Sequence, residues 1–144
     1  MANTTLSSIG GVLHDSRANE YIITGMADGT VKPGDLCTVL KTGAVRQSDK
    51  SDSYDDTLGI CLPSYHTDMD TAAASGKVIE LVVPRAGHIY GCKMGDASTN
   101  EAGNPLIFDE AGAMAQGDGL ETAHLARTLK TSNGDTYGTV IWVG

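Results

Sequence analysis

The sequence is poor in aromatic residues, paired cysteines, clustered positive charge and long apolar runs, and each shortage removes a class of protein. Aromatic residues make up 5% of the 144, with one Trp (Trp142) and one Phe (Phe108), so a core has to be built mostly from Val, Ile, Leu and Ala. The three cysteines, Cys37, Cys61 and Cys92, are odd in number and widely spaced. That argues against a disulfide framework and fits folding in a reducing cytosol. Ten basic residues are scattered singly in a chain of formal net charge −8. Direct nucleic-acid binding needs Lys and Arg clustered to displace counterions, and nothing here supplies that. No apolar run approaches the length of a membrane span. The N-terminal stretch MANTTLSSIGGVLHDSR lacks the basic, then apolar, character of a secretory signal.

Chemical motifs are equally scarce. There is no G-x-S-x-G nucleophile elbow. The pair Gly76-Lys77 lacks the upstream Gly and the following Ser or Thr of a phosphate-binding loop, and GDGLET (117–122) lacks the third Gly of a dinucleotide fingerprint. His14, His66, His88 and His124 do not pair at metal spacing. The acidic runs Asp49, Asp52, Asp55, Asp56 and Asp68, Asp70 miss the spacing of a calcium loop and read as solvated loops. The cysteines read as small buried hydrophobes on strands. No catalytic residue, metal or cofactor is expected, although Ser, His and Asp gathered by folding would leave room for a small hydrolase.

What the chain does have is glycine, 18 residues of it, placed at regular intervals. GDLCTVLKTGAVRQSD (34–49) is matched by GNPLIFDEAGAMAQGD (103–118), with Gly34/Gly103, Gly43/Gly112, Ala44/Ala113, Gln47/Gln116 and Asp49/Asp118 identical. In each copy the first Gly precedes a short strand and the second marks a hairpin tip. Internal duplication and convergent turn chemistry both account for the match. Further strands are predicted at EYIITG, TLGICLP, KVIELVV and GHIYGCKM, with Pro63 and Pro84 as stops. Residues 122–130 alternate, and the Asn133-Gly134 pair predicts a hairpin returning through YGTVIWV. Only SYHTDMDTAAASG has helical character, through Ala72, Ala73 and Ala74, and it is too short for more than a turn or two. Residues 1–19 form an extended arm or a disordered tail; Leu6, Ile9, Val12 and Leu13 give it something to bury.

The expected fold is therefore all-β: a small Gly-rich β-barrel or β-sandwich with an extended N-terminal arm and at most one short helix. The expected organisation is an arm (1–19) and a single β domain (20–144) containing two related hairpin units, 34–63 and 103–131.

Two longer stretches, VKPGDLCTVLKTGAVRQSD running through an acidic loop into TLGICLP, and VPRAGHIYGCKMGDASTNEAGNPLIFDEAGAMAQ, resemble the head decoration (cement) proteins of tailed bacteriophages. The resemblance covers roughly residues 30–118 and rests on turns and strand starts. It implies a non-enzymatic structural protein, assembled as a homotrimer. Its partner would be the major capsid protein, on the outer surface of the virion. It also implies that an arm reaches across capsid subunits, which falls here on Asn3, Thr4, Thr5, Leu6 and Ile9. A head–tail joining or tail role, or the small hydrolase, are the alternatives the residues leave open.

Overall fold

The computed structural model describes residues 20–53, 56–64, 71–95, 99–117, 124–129, 132–133 and 137–144. Among these the protein is all-β, and no helix forms. The first half contributes β1 (Tyr21–Ala27), β2 (Leu36–Val39), β3 (Ala44–Gln47), β4 (Leu58–Cys61) and β5 (Val78–Val83). These close into a barrel of order β1-β3-β2-β4-β5, with β5 returning antiparallel to β1. Every pairing is antiparallel except that of β1 with β3.

The second half contributes β6 (Ile89–Lys93), β7 (Thr99–Asn100), β8 (Pro105–Phe108), β9 (Met114–Gln116), β10 (Ala126–Thr128), β11 (Ser132–Asn133) and β12 (Tyr137–Trp142). Its main sheet runs β6-β12-β10-β8-β9, and β7 and β11 form a separate pair.

The two sheets follow one hydrogen-bond plan. Cys37 faces Gln47 in the first, and Leu106 faces Gln116 in the second, 69 positions on. The Leu40 amide donates to the Ala44 carbonyl at 2.8 Å, and Asp109 to Ala113 at 3.1 Å. Asp35 donates to Lys32, and Asn104 to Glu101, both at 3.1 Å. Beyond the loop the offset becomes 67. Gly34 donates to the Cys61 carbonyl at 2.9 Å and Gly103 to that of Thr128 at 2.6 Å. The parallel seam is repeated too. Ala27 pairs with Val45 in the first sheet, and an isolated parallel bridge joins Met94 to Met114 in the second. The order β3-β2-β4-β5-β1 thus recurs as β9-β8-β10-β12-β6, with the second seam held by one bridge. The correspondence reaches well past the hairpins that the sequence repeat marks.

Turn chemistry explains the repeated glycines. Gly34 and Gly103 have φ of 90° and 89°, and Gly43 and Gly112 have 84° and 75°, all in the left-handed region that a Cβ disfavours. Gly112 is also a close approach between halves. Its amide donates to the Ser48 carbonyl at 2.9 Å, its carbonyl accepts from Leu36 at 2.7 Å, and a Cβ there would sit 3.0 Å from the Leu36 oxygen. Lys93 adds a third backbone bond between halves, to Gly34 at 2.9 Å.

The strand period of two sorts side chains in and out. Ala27, Cys37, Val45, Cys61, Ile79 and Leu81 fill the first barrel, joined by Val31 and Ala73. The outward residues Leu36, Leu58, Ile60 and Val82 belong to a second cluster with Tyr90, Cys92, Met94, Leu106, Phe108, Met114, Val140 and Trp142. The outside of the first barrel and the inside of the second sheet therefore share a core.

Two local expectations differ from the structure. Ala72–Ala74 are not helical: Ala73 exchanges backbone bonds with Val31 at 2.7 and 3.2 Å and is fully buried. A tertiary bridge outweighs helix propensity over so short a stretch. The rest of that helix signal, 65–70, lies outside the described residues. The returning hairpin forms with Ala126 opposite Trp142. Its strand is shortened to Ala126–Thr128, though, and β11, beside the Asn-Gly pair, bonds to β7 instead of β12.

Candidate functional site

Glu20 immediately precedes β1, and its side chain is nearly buried. The Tyr90 hydroxyl donates to Glu20 Oε2 at 3.0 Å and accepts from the Arg85 amide at 3.0 Å, while His88 Nδ1 meets Glu20 Oε1. His88 also stacks on Tyr90, with centroids 6.4 Å apart. Burial, with the Glu20 carboxylate adding to it, pushes the Tyr90 hydroxyl well above its ordinary pKa, so it remains a donor. The start of β1 is thus tied to the β5–β6 connection where the two halves join.

Immediately beyond Glu20, the outer face of the β1–β5 pair carries Ile22, Thr24 and Met26 opposite Val82, Glu80 and Val78. Val82 is covered by the second half, but Ile22, Met26 and Val78 are 48%, 54% and 51% exposed, and Tyr21 beside them 60%. Met26 and Val78 are direct cross-strand partners. Apolar side chains this exposed and adjacent mark an interaction surface rather than scatter. The matching face of the second half differs. Thr24 corresponds to Gly91, which is buried, and Met26 to Lys93. The Lys93 amide is bonded to Gly34, and its Nζ donates to the Ala111 carbonyl at 2.9 Å and lies 3.9 Å from Asp35. The face that is covered by an intramolecular partner in one half is uncovered in the other.

The acidic loop closes on itself. Thr38 Oγ1 and Arg46 Nη1 donate to Asp52 Oδ2 at 2.9 and 3.0 Å, Arg46 Nη2 meets Oδ1, and the Asp49 amide donates at 2.8 Å. Burial alone would raise the Asp52 pKa; these donors outweigh it and hold it below the usual value. An acid whose two oxygens are engaged by a guanidinium and a hydroxyl is a structural anchor rather than a free cation ligand. Among the described residues no three His, Cys, Asp or Glu side chains gather as metal ligands. Asp35 is buried, and burial raises its pKa against the opposing bonds from Gln47 Nε2 (2.7 Å) and the Lys32 amide (2.8 Å).

All three thiols are free and buried. Burial pushes Cys61 up to about 12 and raises Cys37 and Cys92 strongly, so each stays protonated and packs as a hydrophobe.

The residues that the sequence singles out for capsid contact, Asn3, Thr4, Thr5, Leu6 and Ile9, lie outside the described residues, as do His14 and His66. The exposed residues Ile22, Met26 and Val78 are a surface that sequence reasoning missed. EYIITGMA and VIELVV read as core strands, and only closure of the barrel decides which of their side chains face out.

No protein-family model matches the sequence, and no curated protein matches it. Solved structures do match in shape. One comes from a structure described as the capsid of Myoviridae phage XM1, at TM-score 0.63 and 14% identity over 94% of this chain and 89% of that one. Another is the head fiber gp8.5 N base of bacteriophage phi29, at TM-score 0.51 and 14% identity over 85% of this chain and 93% of that one. The sequence resemblance to phage-head proteins and the shape of the chain arrive at the same place: this fold is one found in the bacteriophage head.

Proposed function

We propose that the chain is a structural protein of a bacteriophage head, and more narrowly a decoration protein. It binds the outer surface of the shell built by the major capsid protein and stabilises it by bridging neighbouring capsomers. The observation that carries this reading is the uncovered apolar face at Ile22, Met26 and Val78 beside the root of the arm, on a fold shared with phage-head chains. The arm residues Asn3, Thr4, Thr5, Leu6 and Ile9 supply the reach, and the β1–β5 face supplies buried area. A small contact repeated over a shell, or three times in a homotrimer, becomes strong through multivalency. Buried, protonated thiols and a hydrogen-bonded acidic loop are consistent with a role that needs no catalysis.

Two experiments test the proposal. The first is the copy number of this chain in purified virions relative to the major capsid protein. A large fixed fraction is expected; a handful of copies would place it at the head–tail joint or tail, and complete absence after mild purification would overturn the virion role. The second replaces Leu6 and Ile9 with Asp, and separately Met26 and Val78 with Asp. The arm variant is expected to lose shell binding with its unfolding transition unchanged. Normal occupancy of heads by that variant would remove the arm from the mechanism.

A further inference from the structure

The outer face of the β1–β5 pair is apolar at its corners and charged at its middle. Glu80 lies between Val78 and Val82 on β5, and opposite it is Thr24, between Ile22 and Met26 on β1. Same-face neighbours along a strand are roughly 7 Å apart and direct cross-strand partners roughly 5 Å apart. Any surface that covers Ile22, Met26 and Val78 therefore also covers Glu80. Glu80 is exposed, and among the described residues no basic side chain forms an ion pair with it. In the second half the matching pair is Gly91 opposite Thr139. Where the chain covers this face itself, it places no charge there; where it leaves the face open, a carboxylate stands at the centre.

We propose that the surface docking on this face is apolar around one basic side chain, an Arg or Lys that pairs with Glu80. This rests on the shell role proposed above and adds the chemistry of the partner: a patch of the outer shell with aliphatic groups for Ile22, Met26 and Val78 and a cation for Glu80. A carboxylate taken out of water without a counter-charge opposes docking strongly. A wholly apolar patch is thus disfavoured, an acidic one more so, and a patch with a central cation is selected. The cross-strand neighbour Thr24 brings a hydroxyl but no charge. A guanidinium suits the position best, because it engages both carboxylate oxygens at once.

The test uses phage heads assembled without this chain as the probe and follows binding of full-length variants whose urea midpoints match wild type. Glu80→Lys is expected to abolish binding. Glu80→Leu is expected to weaken it roughly tenfold or more, although it adds apolar area, because the cation opposite is left without a partner. Met26→Asp with Val78→Asp is expected to lose binding as well. If that pair loses binding while Glu80→Leu binds as wild type or tighter, the partner patch is apolar alone; the inference falls and the shell role stands. If all the variants bind as wild type, this face is not the contact, and the inference falls with it. Failure of the wild-type protein to bind heads would remove the shell role and the inference together. Sedimentation separates the remaining occupant. A loss of oligomer mass in Glu80→Lys with head binding intact would assign the face to a second copy, whose Arg127 and Leu129 are exposed, and would overturn the proposal.

Discussion

Ile23, Ala27, Cys37 and Val45 point into the first barrel; the matching positions of the second half hold Tyr90, Met94, Leu106 and Met114. Backbone pairings are shared almost bond for bond, yet the second interior is built from much larger side chains. Closure accounts for the difference. All five seams of the first barrel are laddered, which fixes its circumference and leaves room only for aliphatics and thiols. The second sheet meets itself at one bridge, Met94 with Met114, and its wider interior also receives Leu36, Leu58, Ile60 and Val82 from the first half. Turns and register therefore set the plan, while the filling follows whatever volume the plan leaves.

The largest effect that separates the halves is expected at their matched hairpin glycines. Gly43→Ala and Gly112→Ala both force a Cβ into the left-handed region, at about 1–2 kcal/mol. A Cβ on Gly43 meets nothing within 4 Å, whereas one on Gly112 meets Leu36 O at 3.0 Å and Asp35 Cβ at 3.1 Å, where the halves touch. Overpacking there adds about 1–3 kcal/mol. Urea unfolding should therefore place Gly112→Ala well below Gly43→Ala. Equal losses would mean that the contact between halves yields freely and contributes little.

Next in size is the seam itself. A Cβ on Gly25 would run into Val45 Cγ2 inside the closed barrel. The matching residue of the second half is Cys92, fully buried. Gly25→Ala is expected to cost about 1–3 kcal/mol by overpacking. Cys92→Ala, which removes one heavy atom from a roomier interior, is expected to cost about 1 kcal/mol. Thermal unfolding of the pair checks this; a larger loss at Cys92 would show that the first barrel has slack that its ladder does not suggest.

A smaller contrast lies between two acids of the first half. Asp35 binds its proton more tightly in the folded state than its ordinary value of 3.8, because it is buried. Its ionisation therefore costs stability as pH rises above 3.8. Asp35→Asn should become relatively more stable, against wild type, between pH 3 and neutrality. Asn104 already holds the matching position in the second half. Asp52 has the opposite sign. Its bonds to Arg46 and Thr38 hold it below 3.8, so it contributes stability that is present above that pH and lost as pH falls through its lowered value. Asp52→Asn should flatten the acid limb of the stability curve. If both variants tilt the curve the same way, one of the two assignments is wrong.

The limits of the sequence follow from the same comparison. Gly43 and Gly112 made both hairpins legible, because a left-handed turn restricts residue choice strongly and locally. The larger repeat was hidden, since the offset slips from 69 to 67 beyond the loop and the interior residues differ in size, as Cys37 and Leu106 do. The parallel seam of β1 with β3 was also out of reach: it joins residues 18 apart, Met26 and Ala44, with no local turn to announce it. Residues 122–130 showed a strand period without saying which face is buried, and among the described ones only Ala126–Thr128 form the strand. Ala126 and Thr128 are the buried pair, with Arg127 exposed and Leu129 45% exposed. As for the candidate surface, the arm was nominated through the family resemblance, on Asn3, Thr4, Thr5, Leu6 and Ile9. The exposed face at Met26 and Val78 was not, because an apolar residue on an outward strand position looks the same in sequence as one pointing inward.

The smallest predicted difference sits inside the one feature the halves share most closely. Among the described residues Ala111 is the only non-glycine with positive φ, at 53°. In the first hairpin the Gly43 amide donates to the Leu40 carbonyl at 2.9 Å, and only Gly43 is left-handed. In the second, the Ala113 amide donates to the Glu110 carbonyl at 3.1 Å, and both central residues, Ala111 and Gly112, are left-handed, as in a two-residue primed turn. Ala111→Gly relieves about 1–2 kcal/mol of left-handed strain against about 0.5–1 kcal/mol of added chain entropy. The net is a gain of about 0.5 kcal/mol. Thr42, the matching residue, has no such strain, and its Oγ1 accepts from the Ala44 amide at 3.4 Å. Thr42→Gly is expected to lose about 0.5–1 kcal/mol, mostly through chain entropy, with the long bond from the Ala44 amide lost as well. Opposite signs at two matched positions, read from urea midpoints, would show that the hairpins keep one register through two different turns; losses at both would mean that Ala111 is not held left-handed in solution.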